Sequence, residues 1–242
     1  MEIGLGITTY KRAELLSNIL PIWIKRSPKS TKIAINIDGD YTDYKGLIDQ
    51  YPNVEWIYTG ARRGIAAGKN NCMDALSECE HIFMADDDIY PKTEDWYENF
   101  VEAKPIHSCY ITQKHGGNHV RYRGGDWISF TGCGGVLLYF RGDARHERYN
   151  EDLGIYGFEH VEITERIWRK YQAFSPTAYM APKFLDGKFY TIDFSWGSEK
   201  EKPEFEFDEN LIHTSMKGED AMEHVRFAAK VKQEIDRKLG LI

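Results

Sequence analysis

The stretch His81-Ile82-Phe83-Met84-Ala85-Asp86-Asp87-Asp88-Ile89-Tyr90-Pro91 decides the fold. An apolar run that stops in three consecutive carboxylates and a proline is the pattern of a buried strand whose C-terminal end carries acids into a cleft. In an open α/β sheet that end is where ligands bind. Three adjacent acids repel one another unless positive charge shares their site, and a hard divalent cation with oxygen ligands meets that need. Mg²⁺ or Mn²⁺ held by one or two carboxylates takes its remaining ligands from water and substrate phosphates. A solvated acidic turn is the alternative for an isolated triplet, so the flanking segments decide.

Upstream, Ile3 to Thr9 reads as a short strand, and Leu15, Leu16, Ile19, Leu20 and Trp23 recur at helical spacing between Ala13 and Ile24. Lys32 to Ile37 is a second strand ending in Asp38-Gly39-Asp40. Val54 to Tyr58 is a third, leading into Thr59-Gly60-Ala61-Arg62-Arg63-Gly64. Ile65 to Cys79, with Met73 and Leu76 three apart, reads as the helix before the acidic strand. Strands alternating with helices predict a mostly parallel central sheet flanked by helices, with the polar loops of the first four strands gathered at one edge.

Downstream the texture changes. Ser108 to Gln113 and Trp127 to Phe130 read as short strands, and Gly132-Cys133-Gly134-Gly135 precedes the apolar run Val136 to Phe140. Glycines clustered in this way let backbone approach a ligand or turn sharply. Arg141 to Arg148 is a basic loop or short helix, Ile163, Ile167 and Tyr171 mark one helix face, and 197–203 reads as a mobile loop. Glu219 to Leu239 is an amphipathic helix.

The expected organisation is a single domain over 1–242. The change of texture divides it into 1–105 and 106–218, and 219–242 is the C-terminal helix. A net charge of −7 argues against coating nucleic acid or an anionic membrane by bulk electrostatics. Cys72, Cys79, Cys109 and Cys133 have no metal-ligand spacing and read as reduced thiols. No apolar run approaches the ~20 residues needed to span a bilayer. The N-terminus lacks the pattern of a signal peptide, so a soluble cytoplasmic protein is expected.

Taken together, these segments resemble the GT-A glycosyltransferases, Rossmann-like nucleotide-sugar enzymes with a metal-binding Asp-x-Asp motif. The resemblance runs from Ile3 to about His213 and rests on four matches in order besides the acids. Gly6-Ile7-Thr8-Thr9-Tyr10-Lys11-Arg12 resembles the opening strand and its nucleotide-bordering loop. Asp38 lies where the family places an acid near the base and ribose, and Gly64-Ile65-Ala66-Ala67-Gly68-Lys69-Asn70 is similar to the family's turn after the third strand. Gly157-Phe158-Glu159-His160-Val161-Glu162-Ile163-Thr164-Glu165-Arg166 matches the spacing of the Glu-Asp-x-Asp-Leu-x-x-Arg segment.

The resemblance implies a metal-dependent enzyme that moves a sugar from a nucleotide-diphosphate donor, a UDP-sugar foremost, to an acceptor hydroxyl. It makes 1–105 the nucleotide-sugar-binding half and 106–218 the acceptor-binding and catalytic half. The donor would be held by Thr8, Thr9, Arg12, Asp38, Arg62, Arg63, Lys69, Asp86 and Asp87. Mn²⁺ or Mg²⁺ would be held by Asp86, Asp88 and His213, with Asp87 taking the metal if the Asp-Asp form is the better match. In inverting relatives the second acid of the Glu-Asp pair removes the acceptor proton. Here that position is His160, so His160 or Glu159 is the expected base. Similarity to the Gly-Gly-Glu-Asn-x-Glu segment of retaining polypeptide N-acetylgalactosaminyltransferases keeps retention as the alternative to inversion.

Trp127, Gly134, Gly135 and Glu162 fall on the expected acceptor side, although Glu162 and Arg166, four apart on a helix, also suit a mutual ion pair. The basic stretches 119–123 and 141–148 leave a hydroxymethylated nucleic-acid base among the acceptors, beside saccharide, protein and lipid. A nucleotidyltransferase of the same fold would carry a glycine-rich basic loop after the first strand, which Thr8-Thr9-Tyr10-Lys11-Arg12 lacks. A catalytically inactive nucleotide-sugar or nucleic-acid binding module is the remaining rival, prompted by His160.

Overall fold

Alternation along β4 (His81–Asp86) lays out the layers of the molecule. Phe83 and Ala85 belong to one core with Leu5, Ile7 and the buried side of α1 (Ala13–Arg26). Ile82 and Met84 belong to a second core with Cys72, Met73, Leu138, Phe140, Ile163 and Ile167. A strand covered on both faces has no solvent side to keep polar, hence the unbroken apolar run in the sequence.

The computed structural model describes residues 2–103, 106–110, 120–122, 127–130, 137–171, 180–182, 188–191, 204–206 and 219–240. Its central sheet has six strands. β1 (Ile3–Thr9), β2 (Lys32–Ile37) and β3 (Glu55–Tyr58) run parallel to β4 in the order β3, β2, β1, β4. β9 (Leu137–Arg141) lies antiparallel against β4, and β6 (His107–Tyr110) pairs with β9 at the far edge. This is the mostly parallel central sheet expected from the sequence. Two small separate sheets accompany it: β5 (Ile89–Pro91) with β11 (Phe189–Thr191), and β8 (Trp127–Phe130) between β7 (Val120–Tyr122) and β10 (Met180–Pro182).

Helix α1 covers one face of the sheet, and α3 (Ile65–Ala75) with α5 (Glu159–Tyr171) covers the other. Close approach of α3 depends on Gly6, where a Cβ would stand 2.5 Å from Met84 Sδ and 2.9 Å from Cys72 Cβ. The remaining helices are α2 (Lys45–Gln50), α4 (Glu98–Ala103) and α6 (Glu219–Lys238). Helix α3 ends at Ala75 rather than Cys79. The short α2 had no counterpart among the sequence expectations, because Leu47 alone of its residues is buried and leaves no stripe to read.

Register brings the strand ends together. Thr8 lies opposite Asp86, Thr9 opposite Ile37, and Ile37 opposite Tyr58, so the ends of β1 to β4 meet at one edge of the sheet. Cys72, Cys79 and Cys109 are buried free thiols. Among the described residues no helix is long and apolar enough to cross a membrane. The 197–203 segment and Cys133 lie outside the described residues.

Candidate functional site

Asp86 continues the Ile82 and Met84 face of β4, so it meets α3 and α5. Its Oδ1 accepts a hydrogen bond from Lys69 Nζ of α3 at 2.6 Å. His160 Nε2, on the first turn of α5, stands 3.6 Å from the same oxygen. Burial opposes the charge on Asp86, but Lys69, then His160 and Arg12, outweigh it and hold the carboxyl below its usual pKa.

Asp87 continues the opposite face, that of Phe83 and Ala85, and meets the start of α1. There Arg12 donates from NH1 to Asp87 Oδ1 at 2.7 Å and lies 3.5 Å from Asp88 Oδ2. Desolvation works against the buried guanidinium, yet Asp87 and Asp88 raise its pKa. The turn that delivers Arg12 is pinned by Tyr44, whose hydroxyl accepts from the Arg12 backbone N–H at 2.9 Å and lies 3.1 Å from Thr9 Oγ1. Solvent separates the three acids: the Asp87 side chain is 7% exposed, Asp88 17% and Asp86 29%.

The β3 to α3 turn is shaped by Asp38, whose two oxygens accept the backbone N–H groups of Arg63 at 2.6 Å and Gly64 at 3.0 Å. Arg62 lies over the Tyr10 ring, 4.1 Å from its centroid. Arg63 pairs with Glu151 at 2.8 Å, with both side chains about half exposed. Thr8 packs beside Gly68 of α3.

The second half of the chain docks onto that same turn. Asn70 pairs with the Tyr149 backbone as one peptide pairs with another: Nδ2 donates to the Tyr149 carbonyl at 3.0 Å and Oδ1 accepts its N–H at 2.7 Å. Asn70 Nδ2 also reaches Glu151 Oε1 at 3.0 Å, and the Ile65 N–H donates to the Ile155 carbonyl at 3.1 Å. From there the backbone passes through left-handed Phe158, φ 62°, into α5. Glu159 folds back so that Oε2 accepts the Gly157 N–H at 2.9 Å. Glu162 gives both oxygens to Arg166, at 2.8 and 3.1 Å.

Two residues here went unmarked in the sequence. The Tyr149 ring lies 6.2 Å from the His160 ring and 5.9 Å from Lys69 Nζ. A tyrosine just after a basic stretch carries no signal of that placement. His107 bridges β9 and α5, with Nδ1 2.8 Å from the Tyr139 carbonyl and Nε2 3.1 Å from Thr164 Oγ1. Burial pushes its pKa down to about 3. The neutral ring therefore carries its proton on Nδ1, the only nitrogen facing a pure acceptor, and accepts from Thr164.

Thus Thr8, Thr9, Arg12, Lys69, Asp86, Asp87, Asp88, Glu159 and His160 gather around the ends of β1 and β4, on the α3 and α5 side and at the start of α1, with Asp38, Arg62 and Arg63 flanking them. Trp127 lies on β8. Gly134, Gly135 and His213 lie outside the described residues. Among the described residues no three His, Cys, Asp or Glu side chains form a ready cage for a metal ion.

No protein-family profile and no curated protein matches the chain. Solved structures do. Residues 1–349 of TarS from S. aureus align at 12% identity and TM-score 0.54, over 75% of this chain and 57% of that one. The mannosyltransferase PcManGT from Pyrobaculum calidifontis, solved with GDP-Man and Mn²⁺, aligns at 15% identity and TM-score 0.51, over 68% and 51%. GalNAc-T7, solved with UDP, GalNAc and Mn²⁺, aligns at 15% identity and TM-score 0.57, over 69% and 40%. The chain thus has a GT-A glycosyltransferase-like fold and spans about half the length of the structures it resembles.

Proposed function

We propose that this chain is a metal-dependent glycosyltransferase that moves a sugar from a nucleotide-diphosphate donor, a UDP-sugar foremost, to an acceptor hydroxyl with inversion. One observation carries the reading. Asp86, at the end of a central strand, and His160, 74 residues later on α5, converge to 3.6 Å at the edge where a sheet of this kind binds nucleotide. Structures of the same fold solved with UDP-GlcNAc, UDP or GDP-Man support the donor class.

The acid turn suits a hard divalent cation. Asp87 is turned away towards Arg12, which leaves the more exposed Asp86 and Asp88 as the carboxylates for Mn²⁺ or Mg²⁺. His213 is proposed as a further ligand. When bound, the cation neutralises the departing diphosphate. Thr8, Thr9, Asp38, Arg62 and Arg63 border the donor, and Arg12 fixes the turn that presents the acids. His160 takes the acceptor proton, since its imidazole already faces Asp86, while one oxygen of Glu159 is committed to the Gly157 N–H. Trp127, Gly134 and Gly135 are assigned to the acceptor side. Glu162, with both oxygens given to Arg166, is assigned to anchoring α5.

Incubating the purified protein with a panel of nucleotide sugars, in Mn²⁺, Mg²⁺ or chelator, tests this by the nucleotide released. Release from one donor that stops in chelator and in folded Asp88→Ala is expected. Turnover unchanged by Asp88→Ala would overturn the metal assignment. Absence of release from every donor, with hydroxymethylated DNA and simple saccharides added as acceptors, would favour a binding module.

A further inference from the structure

We infer that Lys69 is a built-in counter-cation that prevents the acid turn from holding a divalent ion on its own, so that metal is retained only together with a nucleotide diphosphate. This rests on the metal reading above and deepens it. The sequence resemblance placed Lys69 among donor contacts, but its side chain is fully excluded from solvent and its ammonium is spent on Asp86 Oδ1 at 2.6 Å. A buried ammonium cannot exchange that partner for a ligand in the cleft without leaving a carboxylate or itself uncompensated. Lys69 is therefore a positioning residue that acts through Asp86.

Arg12 plays the matching part across the turn, at 2.7 Å from Asp87 and 3.5 Å from Asp88. Two fixed positive charges, Arg12 and Lys69, face three carboxylates, Asp86 to Asp88, and leave one negative charge between them. A divalent cation that keeps most of its water and meets only one or two carboxylates gains little from so small a net charge. A nucleoside diphosphate brings both the missing charge and further oxygen ligands. Metal and nucleotide must then strengthen each other's binding by the same factor, as linkage requires.

Calorimetric titration of Mn²⁺ into the purified chain, with and without saturating UDP or GDP, reads this directly, and the free Mn²⁺ signal in electron paramagnetic resonance checks it. In the wild type, nucleotide is expected to tighten Mn²⁺ binding by about tenfold or more. Lys69→Met and Lys69→Gln, which remove the charge, are expected to tighten nucleotide-free Mn²⁺ binding by at least about threefold and so shrink the coupling. Lys69→Arg is expected to keep the wild-type pattern. Lys69→Gln keeps a neutral hydrogen-bond donor on the side chain and serves if Lys69→Met does not fold. Wild-type affinity that is equal with and without nucleotide overturns the inference whether or not the variants fold, as does unchanged nucleotide-free affinity in folded Lys69→Met or Lys69→Gln. Failure to bind Mn²⁺ under any condition would instead overturn the metal reading on which the inference stands.

Discussion

Two dense clusters of charge sit at opposite ends of the stretch from the acid turn to α5, and they are built differently. In the first, Glu147 accepts from Lys170 at 2.6 Å, Arg166 at 2.8 Å and the Tyr171 hydroxyl at 3.2 Å, while Glu162 is chelated by Arg166. Every carboxylate oxygen there has a partner. In the second, Lys69 and His160 crowd one oxygen of Asp86, and its other oxygen makes no hydrogen bond among the described residues. Saturated acids hold segments together; an acid satisfied on one side only, and partly open to water, is arranged to receive something.

The largest effect should come from the open cluster. Asp88→Ala is expected to lower donor turnover by about 10³-fold with little change in melting temperature, since it removes electrostatic stabilisation but no core packing. A melting temperature that fell as steeply as the rate would erase the contrast. His160→Ala should cost about 10²- to 10⁴-fold in transfer to acceptor while leaving nucleotide binding near wild type. Product anomer assignment by nuclear magnetic resonance should show inversion.

The saturated cluster should behave in the opposite way. Arg166→Met strands the buried Glu162 carboxylate and is expected to cost about 3 kcal/mol in denaturant unfolding, with any donor turnover by the remaining folded protein nearly unchanged. His107 gives a pH signature of the same kind. Burial lowers its folded pKa to about 3, below the ~6.5 of an unfolded histidine, so its contribution is complete above that value and drains away as the pH falls. Below about pH 6.5 the wild type should lose up to ~1.4 kcal/mol per pH unit more than a folded His107→Gln variant, read from urea midpoints at pH 7, 6 and 5. Smallest of all, Glu151→Ala breaks a half-exposed pair with Arg63 and one hydrogen bond from Asn70, and should cost about 1 kcal/mol for the two together in the same urea measurement.

The sheet was legible because β4 is covered on both faces and its apolar run cannot be confused with an amphipathic strand. The Glu162 to Arg166 pair was legible too, since a spacing of four on a helix fixes the neighbour. The partners of the acid triplet were less so. Knowing that Asp86 follows Ile82 and Met84 whereas Asp87 follows Phe83 and Ala85 tells that they diverge, but which helix waits on each side depends on crossovers. The resemblance put Lys69 among the donor contacts. That its buried ammonium meets Asp86 depends on how α3 seats on the sheet, which the motif alone does not announce. Tyr149 and His107 act through burial and tertiary contact, which residue type alone does not announce.

Gly64 has a consequence for how the molecule breathes. A Cβ there would meet the Gly154 carbonyl oxygen at 2.6 Å and Ile155 Cα at 2.7 Å, with Asn70 clasping Tyr149 one turn further on. The loop that leads into α5, and so to Glu159 and His160, is thereby stitched to the first turns of a helix almost a hundred residues earlier in the chain. Hydrogen exchange should therefore find the amides of Ile65 and Tyr149 opening as one cooperative unit, however far apart they stand in the sequence.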